Sequence, residues 1–373
     1  MQSFQLCVTT PTGRYEAQLP APFAMIHASS LLLLPDGTAL LAAFSGSVEG
    51  AAGVAIVLFT LPPGASRWGP ARVVFQNPSL SAQNPVLVYS AGVLTLAHTT
   101  QPGGAGQALA QVHVQSSRDG GATWGASFTQ PVPPGTFLRG QALQQPSGGW
   151  VLPAYVTPSG LAVFPNQYSA MLMAYAVPGP QGPWALGPPL PGTLGGLVQP
   201  SVVALPDGSW VAFFRSRAGD SVYRATSLDS GWTWSTPTRT GLPNSNSGLQ
   251  AALLPSGRVA LVFNNWNGQA QRWPLTIALS ADGGVTFPWM RDLTPDGGAC
   301  SSPGLTPSSG EYSYPSIAVG AGGTIHVSWT WLRLYIRYAQ ISEAWVLGPG
   351  GTFGLAKPTA ASAGGSCNGT ARG

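Results

Sequence analysis

A unit made of an apolar run, a tight turn and a second apolar run occurs six times along this chain of 373 residues. The six copies read LLLLPDGTALLAAF, VLVYSAGVLTLAH, ALQQPSGGWVLPAY, VVALPDGSWVAFF, AALLPSGRVALVF and SIAVGAGGTIHVSW. Their turn glycines are Gly37, Gly92, Gly148, Gly208, Gly257 and Gly323, which lie 49 to 66 residues apart. Proline presets φ and glycine supplies a positive φ in such turns, so each unit is predicted to be a β-hairpin. Six hairpins at this spacing indicate a repeat architecture.

A second motif, S-x-D-x-G-x-T-[W/F], follows three of the hairpins. It occupies residues 117–124, 227–234 and 280–287. The aspartate can accept hydrogen bonds from turn N–H groups, the glycine permits the bend, and the aromatic residue can pack between neighbouring sheets. A strand before and after the motif gives four strands per repeat. The sequence therefore predicts an all-β protein, a six-bladed β-propeller with four-stranded blades.

The composition fits this architecture and narrows the expected partners. Hydrophobic residues make up 44% and charged residues 8% of the chain, which indicates a large core and excludes disorder. Lys and Arg total 16 without forming a basic cluster, so neither nucleic acid nor a membrane is an expected partner. Three scattered cysteines predict no disulfide framework. No signal peptide or membrane span is visible, which favours a cytoplasmic protein or one whose leader has been removed.

One propeller domain over residues 1–355 is predicted, in a monomer, followed by a disordered Ala/Gly/Ser-rich tail over 356–373. The fourth strand of blade six is expected from residues 4–9, which would close the ring with the N-terminal segment, or from residues 346–356.

The S-x-D-x-G-x-T-[W/F] motifs resemble the Asp boxes of the sialidase (neuraminidase) superfamily, and the chain is similar to the BNR-repeat, sialidase-like branch over about residues 23–342. The resemblance implies an exo-glycosidase acting on terminal sialic acid or another anionic sugar. It also implies that Asp119, Asp229 and Asp282 are structural, because the boxes of that superfamily lie on the outer rim, away from its catalytic face.

In a propeller the first strand of each blade starts on the face where the second strand ends, so side chains at these places converge on the axis. Polar residues gather there, which suits a sugar site. The first-strand positions are His27, Gln83, Asn84, Arg139, Gln199, Asn246, Ser247 and the run from Glu311 to Tyr314. The second-strand positions are Glu49, His98, Tyr155, Arg215, Arg217, Asn264, Asn265, Arg272 and the run from Trp331 to Arg333.

The run Glu311-Tyr312-Ser313-Tyr314 resembles the place where sialidases carry a Tyr-Ser pair. The resemblance implies that Tyr312 is the nucleophile, with Glu311 as its base or orienting partner. A neutral tyrosine avoids the repulsion that the carboxylate of sialic acid would exert on an acidic nucleophile. Glu49 lies in a loop comparable to the one that holds the acid/base residue of sialidases. Buried core aromatics, and a solvated loop charge at Glu49, are the alternative interpretations.

Arginines at the same face predict an anionic substrate. Arg215 and Arg217 lie two residues apart at a strand end, so both could face the pocket and bind an anionic group. The other substrate-binding candidates are His27, Asn84, Asn246, Arg272, Tyr314, Arg333 and Arg337. A salt bridge to Asp220 is the alternative role for the arginines. Sialidases begin blade one with a Phe/Tyr-Arg-Ile-Pro motif. The corresponding stretch here is Met25-Ile26-His27-Ala28-Ser29, in which His27 stands near the expected arginine and is a candidate donor or base.

The four histidines are dispersed, so no metal site or cofactor is expected. The sequence thus predicts a retaining glycoside hydrolase of the sialidase-like class that acts on a glycan or sialoside. A non-catalytic glycan-binding propeller and a protein-interaction propeller are the alternatives. Converging, buried Arg, Glu and Tyr side chains favour the enzyme; a scattered polar arrangement favours binding, and an apolar face favours protein interaction.

Overall fold

The computed structural model describes residues 4–9, 14–157, 169–175, 181–269, 271–294, 310–348 and 352–353. Six antiparallel sheets are arranged as the blades of a propeller, which confirms the predicted fold. Each of the six predicted hairpins forms the first two strands of one blade. The predicted tail over 356–373 lies outside the described residues.

The strand bounds follow the repeat. Two N-terminal strands are β1 (Cys7–Thr9) and β2 (Arg14–Pro20). Blade one contains β3 (Met25–Leu33), β4 (Ala39–Gly46), β5 (Ala55–Leu61) and β6 (Arg72–Phe75). Blade two contains β7 (Leu80–Ser90), β8 (Val93–Pro102), β9 (Gln111–Ser117) and β10 (Phe128–Thr129). Blade three contains β11 (Thr136–Leu138), β12 (Leu143–Gln144), β13 (Trp150–Val156), β14 (Ser169–Tyr175) and β15 (Ala185–Pro189).

The second half of the chain repeats the pattern. Blade four contains β16 (Leu197–Ala204), β17 (Trp210–Ser216), β18 (Ser221–Ser227) and β19 (Thr238–Pro243). Blade five contains β20 (Gln250–Leu253), β21 (Val259–Asn264), β22 (Leu275–Ser280) and β23 (Trp289–Asp292). Blade six contains β24 (Tyr312–Val319), β25 (Ile325–Trp331) and β26 (Tyr335–Ile341). A short helix, α1 (Glu343–Leu347), and β27 (Thr352–Phe353) follow.

The core lies in the seams between neighbouring blades. One cluster of buried residues joins Phe59 of blade one to Tyr338 of blade six, and another joins Phe213 of blade four to Leu261 of blade five. Because both faces of an inner strand meet a neighbouring blade, strands such as β4 and β17 are buried along their whole length. Apolar residues in continuous runs, as the sequence shows, are what such strands require.

The three Asp boxes share one set of hydrogen bonds on the rim. In blade two, Ser117 Oγ donates to Asp119 Oδ1 over 2.7 Å, and Thr123 donates to Asp119 through its backbone N–H (2.9 Å) and its hydroxyl (2.6 Å). Asp229 and Asp282 receive the same bonds from their own boxes. Hydrogen bonds from Thr123 hold the pKa of Asp119 well below its usual range. The geometry gives each box a local, turn-fixing role.

The ring is closed by β2, which pairs with β26 as the fourth strand of blade six. The prediction that residues 4–9 supply this strand is wrong, because β1 pairs beyond β2 as a fifth strand. Of the alternative segment 346–356, the described strand β27 pairs with β23 of blade five. The choice of β2 follows from its side chains, because Ala17 and Leu19 enter the seam between blades six and one.

A buried ion pair strengthens this closure. Arg337 Nη2 donates to Glu16 Oε2 over 2.7 Å, and both side chains are fully buried. Arg14 also pairs with Glu16 and donates to the carbonyl of Leu293 in blade five. Arg337 therefore lies at the ring closure and not in the expected sugar site, because its guanidinium compensates the buried charge of Glu16. Removing one partner of such a pair costs about 3–5 kcal/mol.

A buried histidine, His98, and a half-buried one, His113, lie between blades one and two. His98 and His113 face each other on β8 and β9, with ring centroids 5.6 Å apart, and Phe75 packs on His98 at 4.2 Å. Burial, and secondarily the charge of His113, lower the pKa of His98 to about 3. His98 is therefore neutral in the folded protein well below neutral pH, and lies in the seam of blades one and two instead of the expected rim.

We expect the protein to lose stability as pH falls below about 6.5, the ordinary pKa of histidine, because the unfolded chain then binds a proton that folded His98 does not. The loss from this group continues down to about pH 3. The free energy of unfolding, measured with urea across this range, should depend less steeply on pH in His98→Phe than in the parent, by on the order of 1 kcal/mol per pH unit. Equal slopes of the unfolding free energy against pH in the two proteins would contradict the assignment of this loss to His98.

Candidate functional site

A residue in the left-handed backbone region lies in or next to the first strand of every blade, at the same end of the propeller. These residues are Ala28, Asn84, Gly140, Gln199, Asn246 and Tyr314, with φ between 47° and 98°. The strand register shifts at this place in β3, β7, β16 and β24. Such a bulge re-aims a side chain, and a non-glycine residue held there carries strain of order 1–3 kcal/mol. Strained residues repeated around one axis mark this end as a candidate site.

Tyr314 lies at the centre of the site. Its phenol oxygen accepts hydrogen bonds from Arg215 Nη1 at 2.7 Å and from Gln199 Nε2 at 3.3 Å. The ring of His27 packs against it, with centroids 4.5 Å apart. Three blades thus converge on one tyrosine. Both hydrogen bonds point toward the oxygen, a pattern that stabilises a phenolate.

Three arginines surround the Tyr314 ring. The guanidinium carbons of Arg139, Arg272 and Arg215 lie 5.1, 5.5 and 5.7 Å from its centroid. Arg139 reaches across from blade three and donates to the carbonyls of Ser29 and Pro315. Among the residues that the structure describes, Arg139 and Arg215 have only uncharged hydrogen-bond partners. The centre of the site therefore carries uncompensated positive charge.

This charge sets the protonation of the site. Burial alone would raise the pKa of Tyr314, but the charges of Arg215 and Arg272 outweigh it and lower the pKa to about 8. His27 is fully buried, and burial together with the charge of Arg333 lowers its pKa well below the usual value. Its Nδ1 lies 2.9 Å from the hydroxyl of Thr330. At neutral pH the site thus combines a neutral histidine with a tyrosine that ionises readily.

A second layer of charges lies toward solvent. Glu311 accepts hydrogen bonds from Arg272 Nη1 at 2.6 Å and from Arg333 Nε at 2.8 Å, and Arg333 Nη1 also donates to Glu49 at 2.6 Å. The backbone contributes to this arrangement, since Tyr312 N–H donates to the carbonyl of Arg272. Glu49, Glu311, Arg272 and Arg333 form one chain of ion pairs, which we call the rim chain.

A cavity of about 530 Å³ opens beside this chain. Its lining residues are Ser245, Asn246, Gln269, Gln271, Arg272, Trp273, Gly310, Glu311 and Arg333. Asn246 connects it to the centre, because its Oδ1 accepts from Arg215 Nε at 2.9 Å. Side-chain amides, charged groups and one indole together suit a hydroxyl-rich, polar ligand. The predicted polar face is thus a concave site and not a scattered set of loop charges.

The structure brings together most of the residues that the sequence singled out. His27, Arg215, Asn246, Arg272, Glu311, Tyr314, Arg333 and Glu49 are connected by the contacts above. Asn84 holds the matching left-handed position of blade two. Arg217 directly follows β17, the strand that carries Arg215. Its backbone carbonyl accepts a hydrogen bond from Nε2 of Gln269 in the cavity wall.

Tyr312 lies elsewhere than expected for a nucleophile. Its ring packs on Trp331 with centroids 4.4 Å apart, and it belongs to the buried cluster between blades five and six. Tyr314 belongs instead to the cluster between blades one and two. The aromatic-core interpretation therefore describes the position of Tyr312.

Arg139 and Gln199, which the sequence placed on the polar face without a specific role, both contribute to the centre. A signal for both Gln199 and Tyr314 exists in the chain: Asn84-Pro85, Gln199-Pro200 and Tyr314-Pro315 share the same bulge position in blades two, four and six. The left-handed residue is followed by proline in each. No such pattern precedes Arg139, whose role depends on contacts with distant blades.

Neither a metal site nor a membrane-spanning helix is found in the described parts of the chain. No group of three or more His, Cys, Asp and Glu side chains there could hold a metal ion. No helix there has the length and apolar character needed to cross a bilayer.

The chain is similar to known propellers in sequence pattern and in fold. Residues 37–327 match the BNR repeat-like domain family. The Hadza microbial sialidase Hz136 superposes with a TM-score of 0.70 at 17% identity, over 86% of this chain and 66% of that one. A Dyadobacter fermentans DSM 18053 protein of unknown function gives 0.68 at 19% identity, over 87% and 97%. The NanB sialidase from Streptococcus pneumoniae gives 0.69 at 13%, over 92% and 71%.

The chain thus spans 66% of the length of Hz136, slightly under two thirds. A comparison with curated protein sequences gives no match. At identities of 13–19%, the structural similarity establishes the shared propeller fold and no more.

The electrostatics of the centre can be measured as a tyrosine titration. We expect one tyrosine to ionise near pH 8 in the folded protein, with this step absent from Tyr314→Phe. Arg215→Gln should raise this midpoint by about one pH unit or more, because it removes the largest charge that stabilises the phenolate. Ultraviolet difference absorbance of the phenolate reports the step.

The control is Arg224→Gln, which removes an arginine of the same blade whose Nε donates to the carbonyl of Gly283 on the rim. It should leave the midpoint unchanged. An equal shift in both variants would show that the midpoint follows overall charge and not the contact between Arg215 and Tyr314.

Proposed function

The chain belongs to the BNR repeat-like family of sialidase-like propellers, and on that premise we propose that it hydrolyses a terminal anionic sugar with Tyr314 as its nucleophile. The observation that carries the proposal is the 2.7 Å hydrogen bond from Arg215 to Tyr314 Oη, made inside a group of three arginines. This arrangement favours negative charge both on the phenol oxygen and on a bound ligand.

The arginines supply the activation that a neighbouring base would otherwise supply. A phenolate is a much better nucleophile than a phenol, and a pKa lowered to about 8 leaves roughly a tenth of the molecules with Tyr314 as the phenolate at pH 7. As pH rises toward 8 this fraction grows, so we expect kcat/KM for an aryl glycoside, whose phenolic leaving group needs little help from a general acid, to rise with pH over that range. The arginines around Tyr314 offset the repulsion between its phenolate and a carboxylate on the substrate.

Glu49 is the proposed acid/base residue. Its charge acts on Tyr314, and its side chain lies at the solvent end of the rim chain, where a departing group would leave. In the first step the phenolate oxygen of Tyr314 would bond to the anomeric carbon while the glycosidic C–O bond breaks, and the leaving oxygen would take the proton of Glu49 in its protonated form. In the second step Glu49, now ionised, would deprotonate a water that attacks the same carbon and releases Tyr314 as the phenolate, with retention.

The proposal assigns Tyr314, in place of Tyr312, to the nucleophilic role. Tyr312 packs in the seam between blades five and six, whereas Tyr314 is in contact with Arg215 and His27. Glu311 is not proposed as the base. Its carboxylate is engaged by Arg272 and Arg333, and although burial alone would raise its pKa, these hydrogen bonds and charges lower it. A carboxylate engaged by two guanidinium groups is a weak base, whereas Glu49 accepts from Arg333 alone among the described residues.

One observation favours a second candidate function, a non-catalytic glycan-binding propeller. Within the described part of the chain, no carboxylate is hydrogen-bonded to Tyr314; an amide, Gln199, takes that place. Gln199 also contacts Tyr155, whose pKa burial raises. Without a base at the tyrosine, the same cluster could bind an anionic sugar and leave its glycosidic bond intact.

Hydrolysis of fluorogenic sialosides and glucuronides by purified protein tests the proposal. Tyr314→Phe should lower kcat/KM by about 1,000-fold or more, because it removes the nucleophilic oxygen. Tyr312→Phe is the matched control, a loss of the same atom two residues away, and should retain activity within a few-fold.

The outcomes separate the two candidate functions. Loss of turnover in Tyr312→Phe alone would reverse the assignment of the nucleophile. Binding of free N-acetylneuraminate without turnover of any anionic glycoside, with the Tyr314→Phe variant binding as the parent does, would establish the glycan-binding function instead.

A further inference from the structure

Glu311 is the most fully engaged side chain of the rim chain. Its Oε1 accepts from Arg272 Nη1 at 2.6 Å, from Ser313 Oγ at 2.9 Å and from Arg333 Nη2 at 3.3 Å, and its Oε2 accepts from Arg333 Nε at 2.8 Å. The Nε2 atom of His27 lies 3.9 Å from Oε1. Two guanidinium groups and a hydroxyl thus surround one carboxylate, a set of partners that would equally suit the carboxylate of a ligand.

The position of this carboxylate is accessible to a ligand. Glu311 lines the 530 Å³ cavity together with Arg272 and Arg333, and its side chain is 26% exposed. Its backbone is fixed on both sides, because Leu332 N–H donates to the Glu311 carbonyl and residue 311 bridges to Arg272. The carboxylate can therefore leave the arginines by side-chain rotation alone, without movement of the strand.

A comparison within the molecule separates this carboxylate from a structural one. Glu16 is likewise held by two arginines, Arg14 and Arg337, but all three side chains are buried and close the ring. Glu16 does not line the cavity of about 530 Å³. The same chemistry at Glu311 faces that cavity and is partly exposed, instead of being sealed in a seam between blades.

We infer that Glu311 occupies, in the free protein, the place that the carboxylate of an anionic sugar takes on Arg272 and Arg333, so that such a ligand binds by displacing it. Glu311 is then a specificity-determining residue. It cancels the charge of the arginine pair. An anionic ligand therefore binds tightly only if its further contacts in the cavity offset the free energy of displacing Glu311. This inference rests on the proposed anionic-sugar site, and it holds whether or not the site is catalytic.

The competition has a defined energetic consequence. A ligand must bind the fraction of molecules in which the arginines are free, so the apparent Kd exceeds the intrinsic Kd by the reciprocal of that fraction. Removing the charge of Glu311 while keeping its shape should remove this factor. The effect should be confined to ligands that carry the anion, because an uncharged analogue does not compete for the guanidinium groups.

The experiment is calorimetric titration of Glu311→Gln and the parent with N-acetylneuraminate and with its methyl ester. Glu311→Gln should bind the acid about tenfold more tightly or better, and the ester with unchanged affinity. Glu343→Gln is the matched control: it breaks the 2.7 Å ion pair between Glu343 and Arg258, of similar exposure, on the outer part of the propeller. It should change neither affinity.

Equal or weaker binding of the acid by Glu311→Gln would overturn the inference and show that Glu311 positions the two arginines. Failure of both proteins to bind the acid would overturn it as well. Should Glu311→Gln fold poorly by thermal melting, Ser313→Ala, which removes one hydrogen bond to Glu311, should give a smaller gain in the same direction, and no gain would contradict us. Tighter binding without hydrolysis would retain this inference and reject the catalytic proposal.

Discussion

A left-handed residue in or next to the first strand of each blade is the constraint on which the site depends. Without the bulge, alternating side chains of an inner strand would all enter the seams between blades. In blades four and six the bulge sends the side chains of Gln199 and Tyr314 toward the axis. The packing of the interblade core fixes the strands on both sides and so offsets the free energy cost of the strained backbone at these residues.

The second determinant is the distribution of charge. Few charged residues exist in this chain, 8% of the total, and those at the centre are arginines with neutral partners. Arg139 is held by two backbone carbonyls and Arg215 by two amides and a phenol. Buried charges of one sign are costly, and the cost falls when a phenolate or a bound anion joins them. The same field that makes Tyr314 acidic would attract an anionic sugar.

Glu16 and Glu311 are each held by two arginines, but the first carboxylate is fully buried and the second is partly exposed. Around Glu16 the pair is sealed and connects the N-terminal strand to blade six. Around Glu311 the pair faces a cavity, and there we propose that a ligand replaces the ion pairs. The sequence placed Arg333 and Arg337 in one group of candidates, and only their surroundings assign the first to the site and the second to the ring closure.

The sequence alone determined the propeller, the hairpins, the Asp boxes and the face on which polar residues gather, because all of these repeat along the chain with local turn chemistry. It left open which tyrosine reaches the axis. Tyr312 and Tyr314 are two residues apart, so a regular strand would point both to one side. The positive φ of Tyr314 breaks that alternation, sending Tyr312 into the seam of blades five and six and Tyr314 to Arg215. Only the tertiary structure could decide this, because the bulge is stabilised by contacts with blades far away in sequence.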